Sequence, residues 1–438
     1  MINFHKLRRR DGYLNKLIGF QDTEPVKVVT GIRRCGKSSL LKLMVRHLKD
    51  TGISPEQIVE MNFESFDFRG MNADDIYRYV KQRAVPGKRM YLFFDELQRI
   101  KAWEDAVNAF RVDLDCDIYV TGSNAFLLSS EYSTYLSGRC IEIKMLPLSF
   151  REFLDFHGEV RETQSALGGL RKQAFDRNGE RYALREVFDA YMRFGGMPGI
   201  ADVGLEQEKA LSLLDGIYST VVIRDILERE KRRGQKQITD PALLRKIILF
   251  LADNIGSSVS IASIGNTLVN EGLLEDGRRR GAPSAHTVQA YVNALLESYF
   301  FYEIKRFDIK GKAYLRTLGK YYIVDIGLRN YLLGFRHRDS GHAIENVVYF
   351  ELLRRGYDVA IGKIGNAEVD FIATNADEKK YIQVTESMMS EDIRKRELAP
   401  LQGIRDNYEK IVLSLEPGLD ASYEGIKSEN LIDWLLSE

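Results

Sequence analysis

The chain has 438 residues, enough for about two or three domains, each with its own apolar core. Hydrophobic residues make up 44% and charged residues 29%, with 63 Lys and Arg against 63 Asp and Glu; this excludes a disordered class and argues against a protein that is cationic over its whole surface. No apolar run is long enough to span a bilayer and Met1-Ile2-Asn3-Phe4-His5-Lys6 lacks a signal-peptide core, so a cytoplasmic protein without a membrane partner is expected.

Arg8-Arg9-Arg10 and Tyr13 to Ile18 read as a helix that leads into the short β-branched strand Val26-Lys27-Val28-Val29-Thr30. Next comes Gly31-Ile32-Arg33-Arg34-Cys35-Gly36-Lys37-Ser38, which matches the phosphate-loop pattern of glycine, four residues, then Gly-Lys-hydroxyl. Ser39 to Val45 then has helical apolar spacing. A strand feeding a glycine loop into a helix N-terminus turns successive N–H groups toward an anion in the helix dipole's positive field. Gly31, Arg33, Arg34, Cys35, Gly36, Lys37, Ser38 and Ser39 are therefore the expected nucleotide cradle. Lys37 would reach the β- and γ-phosphates, and the Ser38 hydroxyl would ligate Mg²⁺. The cysteines Cys35, Cys116 and Cys140 are far apart without a Cys-x-x-Cys pair, so neither zinc nor a disulfide framework is expected.

Ile58 to Phe63 reads as a second strand and Met90-Tyr91-Leu92-Phe93-Phe94-Asp95-Glu96 as a third, apolar almost throughout as doubly covered strands are. Acids at the end of such a strand, beside a phosphate loop, suit a second metal-site residue and a water-orienting base. Asp95 would hold Mg²⁺ and Glu96 would orient or deprotonate the attacking water; the plain alternative is an exposed acid pair. Asp117 to Asn124 is a fourth strand whose Gly122-Ser123-Asn124 end is either a turn or a contact to the γ-phosphate through Ser123 or Asn124. Arg139 precedes a fifth strand, Cys140 to Met145. It could stabilise transition-state charge in cis or in trans, or form a surface ion pair.

Strands alternating with helices imply a parallel sheet with right-handed crossovers. Gly-Ile-Arg-Arg-Cys-Gly-Lys-Ser-Ser-Leu-Leu, Phe-Phe-Asp-Glu-Leu-Gln, Thr-Gly-Ser-Asn, Leu-Ser-Gly-Arg, Pro-Leu-Ser-Phe-Arg-Glu-Phe and Gly-Gly-Met-Pro occur in that order. Together they make the chain resemble, over essentially its whole length, a large family of prokaryotic AAA-type P-loop ATPases whose C-terminal portion is a domain of unknown function. The resemblance implies the AAA+ strand order 5-1-4-3-2, ATP rather than GTP, a sensor at Asn124 or Ser123, and a finger arginine at Arg139. It also implies that Gly195-Gly196-Met197-Pro198-Gly199 breaks a helical lid, and it leaves a homo-oligomer open.

Leu243 to Asn254, Ser258 to Leu268 and Ser284 to Leu296 read as three helices. Phe300 to Phe307 and Ala313 to Arg316 follow as a hairpin, so the segment reads as a winged helix. The third helix has no Lys or Arg between His286 and Glu297, but Arg278, Arg279, Arg280, Lys305, Arg306, Lys310 and Lys312 cluster around it. That pattern suits DNA phosphate contacts without base reading; packing or a protein partner is the alternative. Finally, Glu345 in the helix Gly341 to Leu352, Asp370 in the strand Glu368 to Ala373, and Gln383-Val384-Thr385 in the strand Lys380 to Thr385 follow the layout of the PD-(D/E)XK nuclease core. Glu345, Asp370 and Gln383 would be metal ligands. Thr385 stands where that pattern carries lysine, so a degenerate, inactive nuclease-like domain is expected.

The expected fold is thus α/β: a P-loop ATPase core over residues 1–150, a helical lid or connector over 151–235, a winged helix over 236–335 and a restriction-endonuclease-like domain over 336–438. The expected function is ATP hydrolysis with Mg²⁺ that moves the C-terminal domains on DNA or a protein partner. An ATP-gated DNA nuclease and a nucleotide switch without DNA are the alternatives.

Overall fold

β-Branched and aromatic runs flanked by amphipathic stretches form the first sheet: β1 (Val26–Thr30), β2 (Ile58–Asn62), β3 (Met90–Asp95), β4 (Cys116–Gly122) and β5 (Cys140–Lys144). The computed structural model describes residues 7–123, 138–164, 170–176, 178–227, 238–270, 283–311, 313–314, 318–336, 340–416 and 420–437. Asn124, Arg278, Arg279, Arg280 and Lys312 lie outside the described residues. The chain divides into two units, Met1–Met145 with Glu297–Tyr299, and Leu146–Leu296 with Phe300–Glu438.

In the first unit the strands run parallel in the order β2-β3-β4-β1-β5, which is the expected 5-1-4-3-2 order read from the other edge. Helices α1 (Asp11–Gly19), α2 (Lys37–Asp50), α3 (Ala73–Lys81) and α4 (Trp103–Asp113) complete the unit. Val28, Leu92, Phe94, Phe110, Ile118 and Val120 are at most 3% exposed and form the core of the sheet and its helices. One charge lies inside β1. The Lys27 ammonium is fully buried 2.5 Å from Asp117 Oδ1, and Asp117 also accepts from the Tyr119 hydroxyl and the Asp22 amide at 2.8 Å. Burial pushes the Lys27 ammonium down, against the pull of Asp117.

The second unit opens with α5 (Phe150–His157). Ser149 and Glu152 form a capping box at its start, Ser149 Oγ accepting from the Glu152 amide at 3.1 Å. Within the segment expected as a helical lid or connector an antiparallel sheet then forms, β6 (Gly158–Gln164), β7 (Leu170–Asp176) and β8 (Arg181–Tyr182). Backbone pairing holds these strands, whose many charged residues carry no apolar strand signal. Helices α6 (Leu184–Phe194), α7 (Ile200–Val203) and α8 (Gln207–Ser219) follow.

Three further helices are α9 (Pro241–Asp253), α10 (Ile261–Asn270) and α11 (Ala285–Glu297). Ser258–Val259, expected inside a helix, is strand β9; reciprocal bonds between Ser260 and Ser263, both 3.0 Å, start α10 just after it. The expected hairpin is also different. β10 (Phe301–Ile304) and β11 (Arg306–Asp308) part at Lys305, and β12 (Ala313–Tyr314) pairs with β11 alone. β10 pairs instead with β13 (Gly319–Ile323), in a sheet of order β10-β13-β9. The division follows burial. Tyr321, Tyr322 and Ile323 are at most 3% exposed, whereas Tyr314 is 63% exposed.

After α12 (Ile326–Leu333) and α13 (Ser340–Arg354) come β14 (Asp358–Ile364), β15 (Ala367–Thr374), β16 (Lys379–Ser387), α14 (Glu391–Gln402) and β17 (Glu409–Glu416). β18 (Ser422–Tyr423), β19 (Ile426–Asn430) and α15 (Leu431–Leu435) end the chain. The sheet order is β12-β11-β14-β15-β16-β17-β19-β18; β14, β15 and β16 are antiparallel, and β17 is parallel to β16. Among the described residues, no helix is long and apolar enough to cross a membrane.

Candidate functional site

Parallel pairing brings the C-terminal ends of β1, β2, β3 and β4 to one edge of the sheet, with Thr30 in register with Gly122 and Asn62 with Asp95. At that edge the chain leaves β1 through Gly31, whose φ is +141° and whose added Cβ would lie 2.1 Å from the Met145 carbonyl oxygen. Gly36 starts α2 in the left-handed region at φ +107°. Arg34, exposed at the loop's crest, also has positive φ. The loop backbone is therefore drawn tight over the helix N-terminus. Cys35 is fully buried, and its carbonyl accepts from Arg10 Nη1 at 3.0 Å, so the residue just before α1 supports the loop. Arg33 pairs with Glu64, which Arg99 also reaches at 3.2 Å.

Lys37, Asp95 and Glu96, three of the expected site residues, meet at this edge. Lys37 is 4% exposed and donates from Nζ to the Gly31 and Ile32 carbonyls, at 2.9 and 3.1 Å. Asp95 ends β3 and is buried. Its Oδ1 accepts from the Thr121 hydroxyl at 2.6 Å and its Oδ2 from Asn62 Nδ2 at 3.0 Å. Burial pushes the Asp95 carboxyl up, while hydrogen bonds from Thr121 and Ser38 pull it back. A buried carboxylate whose charged form is disfavoured, bonded to the hydroxyl at the start of α2, fits a divalent cation that would repay its desolvation. The tight glycine cradle and the Lys37 ammonium fit a phosphate equally.

Glu96 adopts φ +57°, a left-handed conformation uncommon for a residue with a side chain. Its amide donates to Thr121 Oγ1 at 2.9 Å, and its Oε2 accepts from Gln98 Nε2 at 2.6 Å. Gln98 Nε2 also lies 3.4 Å from the hydroxyl of Ser123, which is 2% exposed at the end of β4. Asn124, the other expected sensor, lies outside the described residues.

Arg139 sits elsewhere. Its carbonyl accepts from the Val26 amide at 2.9 Å, at the opposite end of β1 from the loop, roughly 13 Å of strand away, and its side chain is exposed. It does not join the cluster within its own chain. Sequence inspection also missed Asn62, Thr121, Gln98 and Arg10. The first two flank Asp95 on the neighbouring strands, and the register of β2 and β4 against β3 brings them there.

The other expected metal residues lie in the second unit. Glu345 Oε1 is 3.0 Å from Lys320 Nζ and 2.5 Å from the Tyr322 hydroxyl. Asp370 Oδ2 accepts from the Val384 amide at 2.9 Å. Gln383 turns its Nε2 to Glu397 at 3.0 Å, with its Oε1 3.4 Å from the Asp370 amide. Among the described residues, no group of three or more His, Cys, Asp or Glu side chains could hold a metal ion.

Residues 23–154 match the model of an AAA domain, and residues 185–339 match that of a domain of unknown function, DUF8612. An uncharacterized protein of Haemophilus influenzae is 38% identical over 431 residues, covering 98% of both chains. The chain belongs to this AAA-domain family. An uncharacterized protein of Methanocaldococcus jannaschii is 29% identical over 400 residues, covering 89% of this chain and 79% of its own. Among solved structures, a Walker-type ATPase of Pyrococcus abyssi is 16% identical with a TM-score of 0.45, over 75% of this chain and 99% of its own. The first unit is thus an AAA-type P-loop ATPase fold with its phosphate loop at residues 31–38.

Proposed function

We propose that the first unit binds ATP with Mg²⁺ and hydrolyses it, and that the nucleotide cycle moves the C-terminal elements. The observation that carries this reading is the convergence of Lys37, Ser38, Asp95 and Glu96 on the sheet edge that carries the phosphate loop. Bound Mg²⁺ and ATP would supply the phosphoanhydride and the divalent charge. The loop amides and Lys37 hold phosphate oxygens, Lys37 giving up its two carbonyl partners to do so. Ser38 and Asp95 hold the metal, with Asn62 and Thr121 orienting the Asp95 carboxylate. Glu96 takes the proton of the attacking water on Oε1, the oxygen that Gln98 does not engage. Ser123, or Asn124, senses the γ-phosphate. In an oligomer, Arg139 would serve the site of a neighbouring copy rather than its own.

A path out of the loop supports the coupling. The Thr30 hydroxyl, one residue before Gly31, donates to Glu142 Oε1 at 2.5 Å, and the Tyr299 hydroxyl reaches the same oxygen at 3.3 Å. Tyr299 lies just beyond α11, whose residues before Glu297 belong to the second unit.

The segment α9-β9-α10-α11-β10 with β13, whose strands share the sheet β10-β13-β9, is read as a winged helix, and α13-β14-β15-β16-α14-β17 as a restriction-endonuclease-like core that does not cleave. A DNA contact through Lys305, Arg306 and Lys310, together with Arg278, Arg279, Arg280 and Lys312, is favoured by the exposure of Lys305 and Lys310. A protein partner is the alternative load.

The test is steady-state ATPase assay with parallel nucleotide-binding measurements. Lys37→Ala should abolish hydrolysis and weaken binding, whereas Glu96→Gln should abolish hydrolysis and spare binding. Full turnover in Glu96→Gln would overturn its assignment as base, and stimulation by double-stranded DNA would select the DNA load.

A further inference from the structure

The acidic cluster of the second unit contains a cation of its own. Lys320 comes from β13, outside the nuclease-like core, and its side chain is 6% exposed. Its Nζ lies 3.0 Å from Glu345 Oε1 on α13 and 2.8 Å from Glu368 Oε1 on β15. Asp370, two residues after Glu368 and therefore on the same face of β15, also acts on the ammonium electrostatically.

The geometry is that of a filled cation site. One buried ammonium lies within hydrogen-bond distance of two carboxylates, on the face of β15 that also carries Asp370, where a divalent ion would have to sit.

We propose that the Lys320 ammonium is the resident cation of this site, held by its covalent tether where carboxylates of α13 and β15 would otherwise coordinate a divalent metal. The missing lysine charge at Thr385 is then not simply lost. A lysine is present, but it sits on the acids rather than beside a metal that the acids hold. The domain gains a buried cross-link between β13 and the larger sheet, and loses divalent-cation binding. For its bearing on cleavage the proposal rests on the nuclease-like reading; the binding measurement below does not depend on that reading or on ATP.

Mn²⁺ serves as the probe, counted by electron paramagnetic resonance on the nucleotide-free full chain. Lys320→Met should bind one Mn²⁺ more than wild type, and Lys320→Met/Asp370→Asn should lose that ion. Asp370→Asn alone should bind as many ions as wild type. If Lys320→Met does not fold in chelator, Mn²⁺ should restore its fold, because the metal replaces the removed charge. The proposal is overturned if Lys320→Met binds no additional Mn²⁺, if Mn²⁺ fails to rescue an unfolded Lys320→Met, or if Asp370→Asn in the wild-type background loses an ion.

Discussion

The Thr121 hydroxyl stands between the two carboxylate residues of the proposed ATPase site, donating to Asp95 Oδ1 at 2.6 Å and accepting the Glu96 amide at 2.9 Å. One side chain on β4 thus fixes both the Asp95 carboxylate and the backbone of the residue after it. Thr121→Val keeps the shape and removes both bonds. It should cost about 2 kcal/mol of stability, because two buried polar groups lose a partner, and should lower kcat. Thr121→Ser should restore both. Thermal unfolding and ATPase rate measure the two effects, and an unaltered Thr121→Val rate would remove Thr121 from the site.

Gln98 holds the Glu96 carboxylate at 2.6 Å, while its own Oε1 is buried without a partner among the described residues. That carbonyl gains nothing from the arrangement, so the amide's position is set by what its nitrogen holds. Gln98→Leu should lower kcat on the order of 10- to 100-fold with an unchanged Kd for ATP, since a misoriented base affects the chemical step alone. A parallel rise in Kd would instead assign Gln98 to nucleotide binding.

Gly31→Ala sets a Cβ 2.1 Å from the Met145 carbonyl oxygen at φ +141°. Backbone atoms are on both sides of that clash, so the loop must move rather than a side chain. Loss of binding to a fluorescent ATP analogue is expected, whereas Gly12→Ala, with nothing within 4 Å of the added carbon, should bind normally.

Asp325 provides a pH signal. It is 4% exposed and accepts from the Gly196 amide at 2.6 Å and the Leu328 amide at 3.1 Å. Burial pushes its carboxyl up to about 6, against those backbone donors. A folded-state value above the unfolded one means that the folded chain binds the proton more tightly. The contribution is therefore present below about pH 4 and is lost as pH rises to about 6, a swing of up to about 3 kcal/mol. Asparagine does not titrate, so the stability of wild type relative to Asp325→Asn should fall as pH rises through this window. Parallel denaturant titrations at pH 4, 5, 6 and 7 measure the difference, and a flat difference would count against it.

Residues 31–38, the strand that ends at Asp95 and the amphipathic helices were legible in the sequence because each is a contiguous signal, in which spacing along the chain is also geometry in space. The hairpin assignment failed at Lys305 because it depended on a choice of pairing partner. β10 has two candidate partners of similar strand character, and burial of Tyr321, Tyr322 and Ile323 selects the later one. The sheet β6-β7-β8 was missed because backbone bonds, which carry no side-chain signature, hold it together.

From the sequence alone came the phosphate-loop pattern with its lysine and hydroxyl, and the adjacent acids Asp95 and Glu96 at and just after the end of β3. Only the tertiary structure decided that Asn62 and Thr121 flank Asp95, that Arg139 lies at the far end of β1, and that Lys320 reaches Glu345 and Glu368. Those relationships are made across strands and between sheets. Local chemistry specifies which groups a segment carries, but hydrogen-bonded register and burial specify which groups from distant segments meet.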